Sequence, residues 1–318
     1  MEKKNNDNNI TVFMYHYVRK IKESKFPFIK GIEFNIFLKQ LDFIKDNFNI
    51  ITPFDITAYL NCQRKLPNNS CMLTFDDGFK DNVDFVLPEL LKRKMTGLFF
   101  PNAKACLNND LLDVHAAHLI LSSYNNDKLL LDQLFKLCID QGINSKNILL
   151  WKKITLNKVY KYDSAERVLI KRMFQYLIPL KERTNIINQI LKKKIGISAK
   201  DLAKNFYLNL ENLKYLLDSG MFIGSHGYNH NWLGQLSYEQ QKNEINESLK
   251  FLKKIGVPLK DWVMCYPYGD YNNDTIKILE DFKCGYAFID SGGTTILNKK
   301  NRYHLNRYDI KDFKFKNF

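Results

Sequence analysis

The chain has 318 residues, 45% of them hydrophobic, and a formal charge of +14. That suffices for a substantial core, built as one large domain or one domain with an insertion, while no apolar stretch approaches the ~20 residues of a membrane span. Six cysteines without a C-x-x-C pair argue against a disulfide framework, and the basic charge comes with no DNA- or RNA-binding signature, only with Lys, Asn and Ile abundant everywhere.

The opening "MEKKNNDNN" is polar and has no apolar signal-peptide core, so a complete chain of this sequence is expected in the cytoplasm. "ITVFMYH" (10 to 16) then reads as a first strand. Phe34, Phe37, Leu38, Leu41 and Ile44 recur at helical spacing, which predicts a helix over 34 to 46. "CMLTF" (71 to 75) is the next strand; after Gly78 a helix runs to about Lys94, and "GLFF" (97 to 100) is a third strand. This strand–helix–strand rhythm predicts a mainly parallel sheet or barrel with function at the C-terminal strand ends.

From about 105 to 205 the rhythm gives way to several helices, rich in Leu, Ile, Lys and Asn. Residues 104 to 218 hold 19 Lys and Arg against 11 Asp and Glu, about +8 of the charge, and the segment reads as a basic helical insertion. "NLENLKYLLDSG" resumes the pattern, with Gly220 closing its helix, and strand "MFIGS" (221 to 225) follows. Ser237 and Gln240 form a capping box for a helix ending near Gly256. "WVMCY" (262 to 266) and "YAFI" (286 to 289) are the last strands, with a helix between them around 274 to 282.

Chemistry concentrates at the strand ends. Strand 71 to 75 stops at Asp76, Asp77 and Gly78, and two adjacent carboxylates repel unless something holds them; alone, the triplet also fits an Asx-type turn. After strand 221 to 225, His226 and His230 stand four apart, so one helical turn would let both reach one ion; with a carboxylate they make the three-ligand set of catalytic metal sites. His115 and His118 have helical spacing too but no strand-end context, and read as structural.

Together, Thr74-Phe75-Asp76-Asp77-Gly78, Ser225-His226-Gly227-Tyr228-Asn229-His230 and Tyr266-Pro267-Tyr268-Gly269 resemble the polysaccharide deacetylase family, carbohydrate esterase family 4. "MYHYV" and "LNRYDI" look like its divergent branch, and the resemblance covers roughly 10 to 102 and 206 to 310. It implies an α/β fold, a distorted (β/α) barrel interrupted by the large helical insertion. It further implies that Asp77, His226 and His230 bind Zn²⁺ or a similar divalent ion such as Co²⁺ or Ni²⁺. Asp76 would be the general base that deprotonates a metal-bound water, and the Tyr268 backbone N–H would stabilise the oxyanion.

Three positions depart from the pattern. Gly227 stands where Ser or Thr is common. Cys265 replaces an arginine that orients the catalytic aspartate, with no substitute evident in the sequence. Arg307, in Leu305-Asn306-Arg307, replaces the histidine expected to protonate the leaving amine, and arginine is a poor proton donor. His304 and His16 are the replacement candidates, either of which also reads as a hydrogen-bonded rim histidine. Asp290, in "FIDSGG", weakly matches a fourth motif and is given no role.

The implied activity is removal of an N-acetyl group from an amino sugar in surface-polysaccharide biosynthesis. Without a signal peptide, the expected substrate is a cytoplasmic nucleotide-linked or lipid-linked precursor. The basic insertion, Lys192, Lys193 and Lys194 included, could cover the site and meet a diphosphate or an anionic membrane surface; a solvated helical face explains the charge equally well. N-deformylation of a lipid-linked amino sugar uses the same attack, and a degenerate glycan-binding protein is the rival from another class, favoured by Cys265 and Arg307 and opposed by the intact Asp76, Asp77, His226 and His230.

Overall fold

The computed structural model describes residues 9–160 and 163–315; residues 1–8 of the polar opening segment lie outside the described residues. Contact density divides the chain into two compact units: Met1–Arg19 with Ile32–Asn109 and Phe206–Phe318, and Lys20–Gly31 with Asp110–Asn205.

The first unit holds the strands. Ser70–Asp77 is buried along its whole length and Asn9–Tyr15 along all but its first residue, which is what continuous apolar runs give when a parallel sheet is covered on both faces. They pair in parallel from Ile10 opposite Ser70 to Tyr15 opposite Phe75. The sheet runs Thr295–Ile296, Asn9–Tyr15, Ser70–Asp77, Leu98–Pro101, Phe222–Ile223, and a second sheet runs Leu305–Asn306, Tyr286–Ile289, Val263–Cys265.

Two short links join the sheets into a distorted (β/α) barrel. At one, Ser225 donates its N–H to the Val263 carbonyl and accepts one from Cys265. At the other, Leu305–Asn306 pairs with the Tyr286–Ile289 strand and, one residue later, Tyr308–Asp309 pairs with Asn9–Tyr15. Arg307 is the residue between, so its position is fixed by the closure of the barrel.

Tyr15, Phe75 and Phe99 occupy matching positions on three neighbouring strands and stack at 5.2 and 4.8 Å between ring centroids. Such pairs contribute roughly 0.5–1.5 kcal/mol each beyond their burial. The helix Phe34–Asn47 lays Phe37, Leu41 and Ile44 into the same core. Helix Tyr238–Lys254 opens on the expected box, Ser237 accepting from the Gln240 N–H and Gln240 from that of Ser237.

Some expectations are adjusted. The strand read over 221 to 225 is regular only at Phe222–Ile223; at Gly224 the chain passes so close to its neighbours that a Cβ would lie 2.5 Å from Phe100 and 2.8 Å from the Val263 carbonyl. The helix after Gly78 begins as a wide π turn, Asn82–Val86, before Leu87–Arg93; Pro88 has no N–H to continue an ordinary ladder. Helix Pro53–Leu60, capped by Thr52 and Asp55, had not been read from the sequence.

The second unit is helical in Asp113–Ser122, Asp127–Asp140, Ser145–Thr155, Ala165–Arg172, Leu180–Ile195 and Ala199–Lys204. Part of its charge is paired internally: Asp163 receives Lys30 and Lys171, Asp127 receives Arg167, and Asp113 receives Arg183. No helix among the described residues is long and apolar enough to cross a membrane.

Candidate active site

Adjacent residues of an extended strand point to opposite faces, yet Asp76 and Asp77 both belong to one polar cluster. The backbone resolves this at Asp77, whose φ of 70° is left-handed, followed by Gly78 at 67°. Only glycine fits there: a Cβ on Gly78 would meet Pro101 at 2.7 Å. His230 and Tyr268 also have positive φ, 61° and 59°. Non-glycine residues held this way cost about 1–3 kcal/mol each, and such strain gathers at functional sites.

Asp77 Oδ1 lies 3.5 Å from His226 Nε2 and 3.2 Å from His230 Nε2, and all three residues are largely buried. Their ligand-type atoms fall within 4.8 Å of one another. His226 faces the Cys265 carbonyl through Nδ1 at 2.9 Å; with the hydrogen there, Nε2 turns its lone pair to the cluster, the usual orientation of a metal-binding imidazole. Two imidazoles and a carboxylate on one point, one ring held by a backbone carbonyl, are a donor set that fits Zn²⁺ or a similar ion. Burial opposes charge on His226, but its contacts with Cys265, Asp77 and Asp76 outweigh that and raise its pKa well above the usual histidine value. A bound cation would take that proton's place.

The loop carrying the histidines is held by Glu244, a buried carboxylate of helix Tyr238–Lys254. Its Oε2 accepts the N–H groups of Tyr228 and Asn229 at 3.3 and 2.8 Å, and its Oε1 accepts the side-chain amides of Asn229 and of Asn231, the latter at 3.1 Å. Sequence reading passed over this residue; its signal is an acid on the buried face of an otherwise amphipathic helix.

Asp76 is 1% exposed and accepts two parallel hydrogen bonds from Arg307, Nη1 to Oδ1 at 2.8 Å and Nη2 to Oδ2 at 2.7 Å. The same guanidinium donates to Thr74 Oγ1 at 3.2 Å and to Cys265 Sγ at 2.9 Å. An orienting arginine is therefore present, delivered from the closing strand instead of position 265. Burial alone would push the Asp76 carboxyl up; the Arg307 charge and its hydrogen bonds, with help from His226 and His16, leave it below the ordinary carboxylate range. Burial pushes the Cys265 thiol up, against the lowering effect of Arg307, and its Sγ lies 3.7 Å from Asp76 Oδ2.

Of the two histidines named as replacement acids, His16 is beside the cluster: Nε2 is 3.9 Å from Asp76 Oδ2 and its side chain is 40% exposed. His304 is exposed and packs edge-on to Tyr271 at 5.0 Å; no contact recorded among the described residues joins it to the carboxylates. Tyr268 sits edge-on to the His230 ring at 4.7 Å. His115 is buried in helix Asp113–Ser122 with His118 6.1 Å away, in the other unit. Asp290 lies within electrostatic reach of Arg307, His16 and Asp76; burial raises its pKa, though Arg307 and His16 oppose the rise.

The family model for polysaccharide deacetylase matches residues 186–288, which includes both histidines but not Asp76 or Asp77. YxkH of Bacillus subtilis (strain 168), a polysaccharide deacetylase by name, is 30% identical over 96 residues, 30% of this chain; the match spans only a third of that relative's length. Among solved structures, the Streptococcus pyogenes deacetylase PplD in complex with acetate superposes with a TM-score of 0.57 at 16% identity, covering 95% of this chain and 92% of that one. The de-N-acetylase of Aggregatibacter actinomycetemcomitans gives 0.56 at 17%, covering 96% and 97%, and IcaB of Ammonifex degensii gives 0.55 at 17%, covering 95% and 92%. Residues 186–288 are therefore similar in sequence to the polysaccharide deacetylase family, and across its length the chain shares the fold of these deacetylases.

Proposed function

We propose that the protein is a metal-dependent hydrolase that removes the N-acetyl group of an amino sugar in a glycan or glycan precursor for surface-polysaccharide biosynthesis. The observation that carries this reading is the pairing of two sites: the Asp77, His226, His230 donor set and, next to it, a buried carboxylate fixed in place by Arg307.

A divalent ion held by those three residues would supply Lewis-acid polarisation of the amide carbonyl and of a water. The remaining work falls to the chain. Asp76 accepts a proton from the attacking water, and Arg307 keeps its carboxylate ionised and aimed. The Tyr268 backbone N–H meets the developing oxyanion. The carbon–nitrogen bond then breaks, and the amine leaves with a proton that His16, close to Asp76 and open to solvent, is placed to deliver.

The experiment is release of free acid from N-acylated amino-sugar oligomers and precursors. Acetate from the wild type, reduced by about 10²–10⁴ in Asp76→Asn, supports the reading. Formate in place of acetate would reassign the acyl group, and release of neither acid would overturn the proposal.

A further inference from the structure

We propose that Arg19 is a positioning residue for the metal-binding carboxylate: by holding Asp81 it fixes the left-handed turn that aims Asp77 at His226 and His230. This rests on the reading of those three residues as a divalent-metal site and adds to it a charged side chain outside the donor set.

The turn needs holding. Asp77 and Gly78 are both left-handed, and a residue with a side chain persists in that strained region only where its surroundings fix it. Three devices act on the stretch from Gly78 to Asp81. The first is backbone pairing: the Gly78 carbonyl accepts the Leu208 N–H at 2.8 Å, the Lys80 N–H donates to the Phe206 carbonyl at 2.9 Å, and Phe79 bridges Tyr207 antiparallel. The second is the Phe79 ring, which stacks on Tyr17 at 4.1 Å between centroids and 22° from parallel; Tyr17 lies within electrostatic reach of Asp77 itself. The third is an ion pair, Arg19 Nε to Asp81 Oδ2 at 2.7 Å, with side chains 11% and 9% exposed.

Arg19 ties the three together. Its guanidinium lies over the Tyr17 ring at 5.2 Å and over the Phe206 ring at 5.5 Å. One side chain thus reaches the turn, the ring that stacks on it and the segment that pairs with its backbone. The Arg19 backbone is itself fixed, since Val18–Arg19 pairs in parallel with Ile32–Glu33. An exposed ion pair would count for little, but this one is nearly closed to water, and removing one partner leaves an uncompensated buried charge on Asp81. The turn would then shift to bring that carboxylate to solvent, and Asp77 stands at its start. A donor set tolerates only about 0.5 Å of such movement. The site therefore has a buried charged clamp on each side, Glu244 on the histidine loop and Arg19 on the aspartate turn.

The test reads Co²⁺, whose visible absorption reports the geometry of its ligands without any turnover. The full chain as wild type, Arg19→Met, Arg19→Lys, Arg19→Met with Asp81→Asn, and Arg93→Met is loaded with Co²⁺ and titrated with a chelator. Arg93 is the control: an arginine of the same unit, 10% exposed and paired with Asp42 and Glu89, whose loss should lower stability and leave cobalt affinity and spectrum unchanged. Arg19→Met is expected to bind Co²⁺ about tenfold more weakly, with an altered spectrum. Arg19→Lys should recover part of the affinity, and so should the double variant, which removes the stranded carboxylate. Wild-type affinity and spectrum in a folded Arg19→Met, or the same changes in Arg93→Met, would overturn the proposal and leave the metal site standing. Where Arg19→Met does not fold, wild-type spectra in both the lysine and the double variants would overturn it equally. A wild type that binds no Co²⁺ would overturn the metal-site reading, and the proposal with it.

Discussion

Replacing Arg307 by methionine keeps much of the side chain's apolar length and removes its fork. The loss can be worked from the contacts. Arg307 makes two charge-assisted bonds to Asp76 at 2.8 and 2.7 Å, with both side chains 2% exposed. Bonds to charged groups contribute roughly 1.5–3 kcal/mol each, and breaking a buried pair on one side costs about 3–5 kcal/mol. Arg307→Met should therefore lose about 3–5 kcal/mol in denaturant unfolding of the metal-free protein, while Arg307→Lys, able to restore one bond but not the fork, should lose less. The sign for pH follows from the direction of the Asp76 shift. Its folded pKa lies below the ordinary value, so the pair's contribution is complete above the ordinary carboxylate pKa and fades as pH falls through the depressed one. In Arg307→Met burial acts with far less opposition, and the carboxyl rises. The acid limb of deacetylation should move to higher pH, with a rate loss approaching the 10²–10⁴ typical of losing a general base. A folded Arg307→Met with wild-type rate and an unmoved acid limb would refute the assignment.

Other expectations are briefer. Glu244→Gln turns an acceptor-only group into one carrying an N–H pair against four donors, and should weaken metal binding by about 10–100-fold in competition with a chelator while the fold persists. Phe75→Ala removes the middle ring of the Tyr15–Phe75–Phe99 stack and should cost about 3–5 kcal/mol in chemical denaturation. If His16 delivers the proton, His16→Ala should lower the rate by up to about 10²–10⁴, whereas His304→Ala should leave it nearly unchanged.

The barrel strands were legible because covered parallel strands are written as unbroken apolar runs, as in Cys71 to Phe75 and Leu98 to Phe100. The helix starts were legible where a box was spelled out, as at Ser237. The two-residue strands near the C-terminus were not, since Leu305–Asn306 and Tyr308–Asp309 owe their pairing to barrel closure and carry no periodicity of their own. That same closure hid the partner of Asp76. In the sequence, Cys265 stands in an arginine's place and Arg307 in a histidine's, two departures 42 residues apart. In three dimensions they touch, Nη2 to Sγ at 2.9 Å, and the two departures are one rearrangement. Glu244 was hidden because a helical acid normally faces water, and only the fold shows it turned onto a loop sixteen residues upstream.

The central claim is that Asp77, His226 and His230 hold a divalent ion, and its most direct test is metal content by mass spectrometry of purified protein after incubation with Zn²⁺, Co²⁺ or Ni²⁺. The account predicts about one ion per wild-type chain, retained in Asp76→Asn and lost in Asp77→Ala and in His230→Ala. A wild type that stays empty, or alanine variants that load as well as the wild type, would contradict it.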